Sequence, residues 1–479
     1  MVKLNSSLTD VESEKVTSGI LFSTLRIFFS VIIPFLMIPM YAKAFGVELL
    51  GVFNLSLSIV NSALVLGTFG LTIYAIKESG SNKYSNRKLA GKAIDVIKIR
   101  LFFTFLFLIV LGGGGYLFGG FDNTLILSIL LLSFSVFGEI ISNDWLFVYF
   151  KQQKILFFRG VVLKILLLLA MYFLIDDSDD YFTFLILYSS ANFILCFIFL
   201  YKSVDLLSVN WLCLPDFSLI YKALPILGLT LASSFYGKFD SVILGYILSN
   251  FDYGIYSAAY KLIQVALVII TSWAVVLLPY VAQVNNSFAK YLKFTYIISL
   301  LVSLFIFHNA ELIIISLYGD DFIPSVNLMK YMSLIIPIVS VYNYMIYQNS
   351  NKLLLRKNVF WFLLFVGFNV LFIFMFRHSI SPIVFVYLTI LFNFLILLSV
   401  VYYTKINAFC KIIVQLLLTT VVVCFLYYVL LFFLIGSNLY LLITAQMIFL
   451  VAVLIVLLFI LKVVDKKWII VLFWRLQDR

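Results

Sequence analysis

Long apolar runs alternate with short polar breaks along the whole chain. The apolar runs are about 20 residues long, the length that an α-helix needs to cross the hydrocarbon core of a bilayer. Gly, Asn, Asp and Lys mark the breaks, as at Asp176-Asp177 and Gly436-Ser437-Asn438. Because backbone groups at membrane depth must be satisfied within the chain, each run is predicted to be a helix. The fourteen predicted spans lie near residues 17–41, 51–75, 100–118, 124–149, 157–175, 181–201, 223–247, 255–281, 294–317, 326–347, 358–376, 381–403, 411–435 and 439–462.

The amino-acid composition supports a membrane protein and excludes a soluble globular domain. Hydrophobic residues make up 64% of the 479 positions and charged residues 11%, with a mean hydropathy of +1.14. A soluble domain could not keep such a surface in water. The loops between the predicted spans are too short for an extramembrane catalytic or nucleotide-binding domain. The chain also lacks a GxxxxGK[ST] motif, which excludes transport driven by ATP bound at such a motif on this chain.

The basic residues predict the orientation of the chain. The net charge is +11, but the charges are spread along short loops, which argues against a nucleic-acid surface. With the N-terminus inside, 26 of the 33 Lys and Arg residues fall in one set of loops and tails, whereas the opposite loops hold only Lys43 and Arg377. This asymmetry predicts that both termini are cytoplasmic. The first apolar run is too long for a cleavable signal peptide and is predicted to remain as a helix.

An internal repeat predicts two lobes of six helices. Residues 44–60 and 248–265 each cross a short outer loop and restart with Gly, an apolar residue and an aromatic residue, at Gly51-Val52-Phe53 and Gly254-Ile255-Tyr256. The offset of 203 residues is close to six helices, so that the two copies are parallel in the membrane. The predicted organisation is a cytoplasmic tail (1–16), an N-lobe of spans one to six (17–201), a cytoplasmic interfacial linker (202–222), a C-lobe of spans seven to twelve (223–403), spans thirteen and fourteen (404–462) and a cytoplasmic interfacial tail (463–479).

Basic side chains inside the predicted spans are the first candidates for function. An ionised group at the bilayer centre costs at least about 2.5–3.5 kcal/mol, and one that is retained usually faces a cavity or a partner. Arg26 and Lys238 lie near the middle of the first helix of each lobe, where they would give a shared cleft cationic walls and attract anions such as phosphates. For Lys261 and Lys330, cavity lining and snorkelling to the headgroups stay equally open. Lys164 is expected to snorkel.

The acidic candidates for ion coupling or for charge partnership are Glu139, Asp144 and Asp240. Glu139 is the most central carboxylate and is either a site of proton or sodium coupling or a structural partner of Arg26 or Lys238. Asp144 lies nearer the cytoplasmic edge, where it is either a charge partner or solvated. The cysteines and the two histidines show no ligand spacing, so that no metal, disulfide or cofactor is predicted.

Glycine and proline interrupt some of the predicted spans. Gly112 to Gly115 form a run in the third span, which indicates either a close helix crossing or hinge, or simple tolerance of Gly in lipid. Pro34, Pro39 and Pro337 are expected to hinge or kink their helices.

The first hairpin, IPFLMIPMYAKAFGVELLGVFNLSLSIV followed by LGTFGLTIYAIKESG, and the segment GKFDSVILGYILSNFDYGIYSAAYKLIQV resemble the polysaccharide transporter branch of the multidrug/oligosaccharidyl-lipid/polysaccharide exporter superfamily. The resemblance extends over the whole chain in length and helix count. It implies an all-α membrane fold of two six-helix lobes plus two C-terminal helices.

The resemblance also implies a function similar to that of Wzx-type flippases. Such a protein would move undecaprenyl-pyrophosphate-linked oligosaccharide repeat units to the periplasmic leaflet of the inner membrane by alternating access, for O-antigen in lipopolysaccharide or another surface polysaccharide. It implies Arg26 and Lys238 as cavity cations, and as partners membrane lipids, a polysaccharide polymerase and a chain-length regulator. The alternatives are a cation-coupled multidrug exporter of the same fold and a membrane oligosaccharide polymerase or ligase. The exporter would need an acidic cavity, and the enzyme a large outer loop.

Overall fold

The computed structural model describes residues 2–68, 70–81, 86–117, 121–142, 144–150, 152–202, 214–223, 240–283, 287–348 and 381–404, with single positions at 364, 367, 368, 371, 375, 420, 427, 446 and 448. Within these residues the secondary structure is helical, with short turns and no strand. The prediction of an all-α membrane fold is therefore confirmed.

The helices follow the apolar runs of the sequence closely. In chain order they are α1 (Val2–Thr68), α2 (Leu71–Ser81), α3 (Asn86–Leu108), α4 (Gly114–Leu117), α5 (Asn123–Ser142), α6 (Asp144–Tyr149), α7 (Gln153–Leu174), α8 (Tyr181–Lys202), α9 (Asp240–Gly245), α10 (Asn250–Gln283), α11 (Ser287–Tyr318), α12 (Ser325–Ser333), α13 (Ile335–Gln348) and α14 (Pro382–Thr404).

Seven segments of the described residues are long and apolar enough to cross a membrane. They are Phe28–Thr68, Asn123–Phe147, Gln153–Leu174, Asn250–Thr271, Leu292–Tyr318, Ser325–Met345 and Pro382–Val401. Each overlaps one or two predicted spans, and the chain is a multi-pass membrane protein. The predicted spans near 223–247, 358–376, 411–435 and 439–462 lie wholly or mostly outside the described residues, as do most of the linker and the tail 463–479. The total of fourteen stays a prediction.

Gly46 divides α1 into two arms. Its φ of 66° lies in the left-handed region, inside a stretch of 67 otherwise helical residues. Such a stretch is far too long for one crossing, and glycine adopts this φ without steric cost. Gly46 therefore supplies the predicted turn between the first two spans. The second arm (residues 47–68) ends earlier than the predicted boundary at residue 75, because Gly70, also with positive φ, precedes α2.

The glycine run in the third span forms a π-helical segment, Ile109–Gly113, between α3 and α4. A groove of about 550 Å3 lies between this segment and α5, and its lining includes Phe105, Ile109 and Ile129. A Cβ at Gly113 would meet open space, whereas one at Gly115 would overlap the ring of Phe121. The run therefore combines one close contact at Gly115 with an open groove.

The chain divides into two compact units. The first comprises residues 1–258, 314–325 and 370–382, and the second comprises residues 259–313, 326–369 and 383–479. In the first unit, α1 packs on α3, α5 and α7, and α5 packs on α8. Aromatic rings fill its interior, with Phe53 4.9 Å from Phe184 between ring centroids.

The second unit is held by buried polar contacts between its helices. Ser303 donates to the carbonyl of Ser333 at 2.8 Å, and the Tyr342 hydroxyl donates to Oδ1 of Asn393 at 3.1 Å. Asn309 donates to Gln446 at 2.7 Å. Polar side chains inside a membrane bundle are satisfied across helices in this way.

The two copies of the sequence repeat touch each other inside the first unit. A Cβ at Gly51 would overlap the carbonyl oxygen of Asn250, and a Cβ at Gly254 would overlap that of Val47. Gly51 corresponds to Gly254, and Val47 to Asn250, under the 203-residue offset, so that each contact is the counterpart of the other. Asn54 and Ser257 are related by the same offset, and Asn54 Nδ2 donates to Ser257 Oγ at 2.9 Å. A two-fold axis generates such reciprocal contacts. The crossing of the second arm of α1 with residues 250–258 of α10 therefore supports the repeat.

Candidate functional site

Six charged side chains from five helices of the first unit gather near the start of α6. We call this group the Asp144 cluster, and its members are Arg26, Arg100, Glu139, Asp144, Arg159 and Lys164. Two apolar helices, α5 and α7, flank the short connection that carries Asp144. The hairpin α5–α6–α7 thus brings its charges against the first arm of α1, with which α7 and α5 pack.

Asp144 joins two arginines that are distant in sequence. Its Oδ1 accepts from Arg159 Nη2 at 2.5 Å, and its Oδ2 accepts from Arg26 Nη1 at 3.2 Å. The side chains of Arg26 and Asp144 are each 39% exposed, whereas that of Arg159 is 5% exposed. One carboxylate is therefore shared by a buried and a half-exposed guanidinium.

Arg159 keeps donors that the described residues do not satisfy. Its Nε and Nη1 are buried without a hydrogen-bond partner, and its guanidinium carbon lies 5.8 Å from the centroid of the Phe147 ring. A buried donor without an acceptor costs free energy, more so when it is charged. Among the described residues, these two donors therefore lack an acceptor.

Arg100 and Glu139 extend the cluster toward α3 and α5. Arg100 is buried. Its Nη1 reaches the carbonyl of Ile140 at 3.5 Å, and its Nε has no hydrogen-bond partner among the described residues. Glu139 is exposed and lies within electrostatic range of both Arg100 and Lys164. The predicted partnership of Glu139 with Arg26 or Lys238 and its predicted role in ion coupling both stay predictions.

Lys164 contacts the backbone of α1 at a proline. Its Nζ donates to the carbonyl oxygen of Ser30 at 3.1 Å. Pro34 lies four residues after Ser30, and because proline lacks an N–H, that carbonyl loses its usual helical donor. Lys164 supplies a replacement, which a carbonyl at membrane depth requires. The contact links a cation to the proline kink, while the snorkelling of Lys164 stays a prediction.

The cluster carries more positive than negative charge. Four cations face two carboxylates, which leaves a formal excess of two positive charges among the cluster residues. Electrostatic interactions are weakly screened away from bulk water, so that the excess favours a bound anion. Arg26 and Asp144 form the half-exposed edge of the cluster.

The other predicted site residues are not part of this cluster. Lys261 on α10 and Lys330 on α12 belong to the second unit, where both are partly buried. Asp240 is the first residue of α9, but its side chain lies outside the description, and so does all of Lys238. Their roles stay predictions, and the choice between cavity lining and snorkelling for Lys261 and Lys330 stays open.

Sequence reasoning missed Arg100 and Arg159 because it placed them in cytoplasmic loops. Both residues directly adjoin apolar runs, in IKIRLFF and LFFRGVV. Both are buried in the folded chain. The available signal was their position at the end of an apolar run, which an arginine that faces water shares.

The comparisons agree on the class of protein. Residues 16–285, more than half of the chain, match the family described as polysaccharide biosynthesis protein. Among solved structures, the chain is similar to the lipid II flippase MurJ in an inward closed conformation, with a TM-score of 0.70 and 15% sequence identity, over 96% of this chain and 100% of that one. No curated protein matches the chain. The chain therefore belongs to the polysaccharide biosynthesis protein family, and its fold is that of a multi-pass membrane protein similar to MurJ.

Proposed function

We propose that this chain is a flippase for lipid-linked oligosaccharides. It would move undecaprenyl-pyrophosphate-linked repeat units from the cytoplasmic to the periplasmic leaflet of the inner membrane, for O-antigen or another surface polysaccharide. The observation that carries the proposal is the excess positive charge of the Asp144 cluster within the membrane helices of a flippase fold.

The chemistry of the substrate fits this observation. A lipid-linked sugar is held to its carrier by phosphate groups, which are the charged part that must cross the membrane. Arginine binds phosphate through parallel N–H donors, and Arg26 offers a half-exposed guanidinium on the first helix. The family described as polysaccharide biosynthesis proteins also supports a sugar-containing substrate.

The transport step would follow alternating access between the two lobes. No bound cofactor is needed for such a step, and Glu139 or Asp144 would carry any coupling to protons or sodium ions. The orientation with both termini in the cytoplasm, and partnership with a polymerase and a chain-length regulator, belong to the same proposal.

Complementation tests the proposed function. A strain that lacks its repeat-unit flippase should recover surface polysaccharide when it expresses this chain. Arg26→Ala and Lys238→Ala should abolish the recovery at unchanged protein levels, because each removes a proposed phosphate contact. Lys43→Ala is the matched control, since Lys43 is exposed on the same helix as Arg26 and outside the cluster. Unaltered recovery with both alanine variants would refute the cationic mechanism, and drug resistance without recovery would favour the exporter.

A further inference from the structure

The Asp144 cluster contains a carboxylate that bridges two of its arginines. Asp144 occupies one donor of Arg26 and one of Arg159. Neither arginine is saturated by this contact, because a guanidinium has five N–H donors. Two buried nitrogens of Arg159, Nε and Nη1, have no hydrogen-bond partner among the described residues.

The two halves of the Asp144 bridge differ in strength. The Arg159 contact is short, at 2.5 Å, and its guanidinium is 5% exposed. The Arg26 contact is longer, at 3.2 Å, and both of its side chains are 39% exposed. Exposed ion pairs contribute little because water competes with them, whereas breaking a buried pair leaves an uncompensated charge. An incoming anion would therefore replace Asp144 on Arg26 first.

We propose that Asp144 is an internal placeholder for a phosphate group, and that phosphate binds between Arg26 and Arg159 by displacing its carboxylate from Arg26. This inference rests on the proposed function for the identity of the ligand, a lipid-linked diphosphate. Asp144 stays on Arg159 through Nη2, and the buried Nε and Nη1 of Arg159, which lack an acceptor among the described residues, supply the donors that the phosphate oxygens need. Arg159 is thus a binding residue that the sequence did not indicate.

The placeholder has a consequence for the empty state. Without Asp144, Arg26 and Arg159 would face each other across a site with no counter-charge, which is costly away from water. The carboxylate keeps the site formed in the absence of substrate, and it lowers the affinity for phosphate because the two compete for Arg26. Release of the phosphate returns Asp144 to Arg26, so that the exchange is reversible.

Binding measurements on the purified full-length protein in detergent test the exchange. The probe is farnesyl diphosphate, with inorganic pyrophosphate and phosphatidylglycerol as comparisons that separate a lipid-linked diphosphate from a free anion and from a bilayer headgroup. Asp144→Asn should bind farnesyl diphosphate about tenfold more tightly, the scale of one charge-assisted hydrogen bond that no longer has to be displaced. Arg159→Gln should bind it about tenfold more weakly than the parent chain. The affinity of Arg159→Lys should lie between those of the parent chain and Arg159→Gln, because lysine keeps the charge but loses the planar donors.

Three controls distinguish displacement of the Asp144 carboxylate by phosphate from a general effect of the charge of the cluster. Lys154→Gln removes a cation from the exposed side of the same helix as Arg159 and should leave the affinity unchanged. Glu139→Gln removes a carboxylate from the cluster without touching the bridge, and should give a much smaller gain than Asp144→Asn. In the double variant Arg26→Gln/Asp144→Asn the gain should disappear, because the donor that Asp144 released is gone.

The outcomes are decisive even if one variant folds poorly. A gain of affinity in Asp144→Asn cannot arise from unfolding, so that this arm stands without Arg159→Gln. Equal gains in Asp144→Asn and Glu139→Gln, an unchanged affinity in Asp144→Asn, or tighter binding of phosphatidylglycerol than of farnesyl diphosphate would overturn the proposal. Failure of complementation together with the expected binding pattern would refute the flippase function and leave the phosphate site intact.

Discussion

The crossing of the two repeat copies gives the sharpest prediction about stability. Gly51 on the second arm of α1 and Gly254 on α10 let the two backbones approach so closely that a Cβ at either position would overlap a carbonyl oxygen of the facing helix. Next to that oxygen, a Cβ at Gly51 would lie 3.0 Å from the nitrogen of Gly254. The obstacles are backbone atoms, which cannot rotate away as a side chain can. Gly51→Ala must therefore push the helices apart.

The cost of this separation can be estimated from the contacts at the crossing. Overpacking of a well-packed interior costs about 1–3 kcal/mol. Separation would also stretch the buried hydrogen bond of 2.9 Å from Asn54 to Ser257, and an interhelical hydrogen bond in a membrane is worth about 0.6 kcal/mol. Alanine recovers up to about 1 kcal/mol of helix propensity. The expected net loss for Gly51→Ala is about 1–2 kcal/mol.

Thermal unfolding in one detergent, followed by tryptophan fluorescence, measures this loss. Gly160→Ala is the matched control, because Gly160 lies within α7 and a Cβ there would meet nothing within 4 Å. It should be as stable as the parent chain or slightly more stable. Gly254→Ala should resemble Gly51→Ala, since the two contacts are related by the repeat.

The double variant Gly51→Ala/Gly254→Ala gives the strictest check. Both alanines push the same two helices apart, and one displacement relieves both overlaps. The double loss should therefore be clearly smaller than the sum of the single losses. If Gly51→Ala melts like Gly160→Ala, or if the two losses simply add, the reciprocal crossing is not the contact described above.

Two further predictions concern the proline kink and the glycine groove. Pro34→Ala restores an N–H that can reach the Ser30 carbonyl, so that Lys164→Met should cost less stability in the Pro34→Ala background than in the parent chain. A double-mutant cycle by thermal unfolding measures this coupling. Equal costs of Lys164→Met in both backgrounds would contradict the contact. Gly113→Leu should leave the melting temperature unchanged because its side chain enters the open groove, whereas Gly115→Leu should lower the melting temperature because its side chain meets the Phe121 ring. A lower melting temperature for Gly113→Leu than for Gly115→Leu would show that the groove is closed in the folded protein.

Local physics explains why the helices could be predicted. A stretch of about 20 apolar residues in a bilayer must be helical because its backbone has no other hydrogen-bond partners. The turn at Gly46 could also be predicted, because glycine adopts a left-handed φ without the steric cost that other residues incur. The repeat could be recognised in the sequence because both copies carry a glycine, Gly51 or Gly254, at the point where the two helices cross.

The candidate site could be predicted only in part. Arg26, Glu139 and Asp144 were identified because a charge within an apolar run is costly and therefore conspicuous. Arg100 and Arg159 were not, because at the end of a run an arginine that faces water and one that is buried have the same local sequence. Their burial depends on which helices pack around them.

The sequence by itself determined the membrane class, the helices of the described chain and the glycine turns, since these follow from interactions between a segment and the bilayer. Tertiary structure alone decided that Asp144 joins Arg26 across 118 residues, that Lys164 reaches the Ser30 carbonyl one turn before Pro34, and that the two repeat glycines face each other. Each of these is a contact between helices that are distant in sequence, and only the packing of the helices brings such residues within hydrogen-bonding or van der Waals distance.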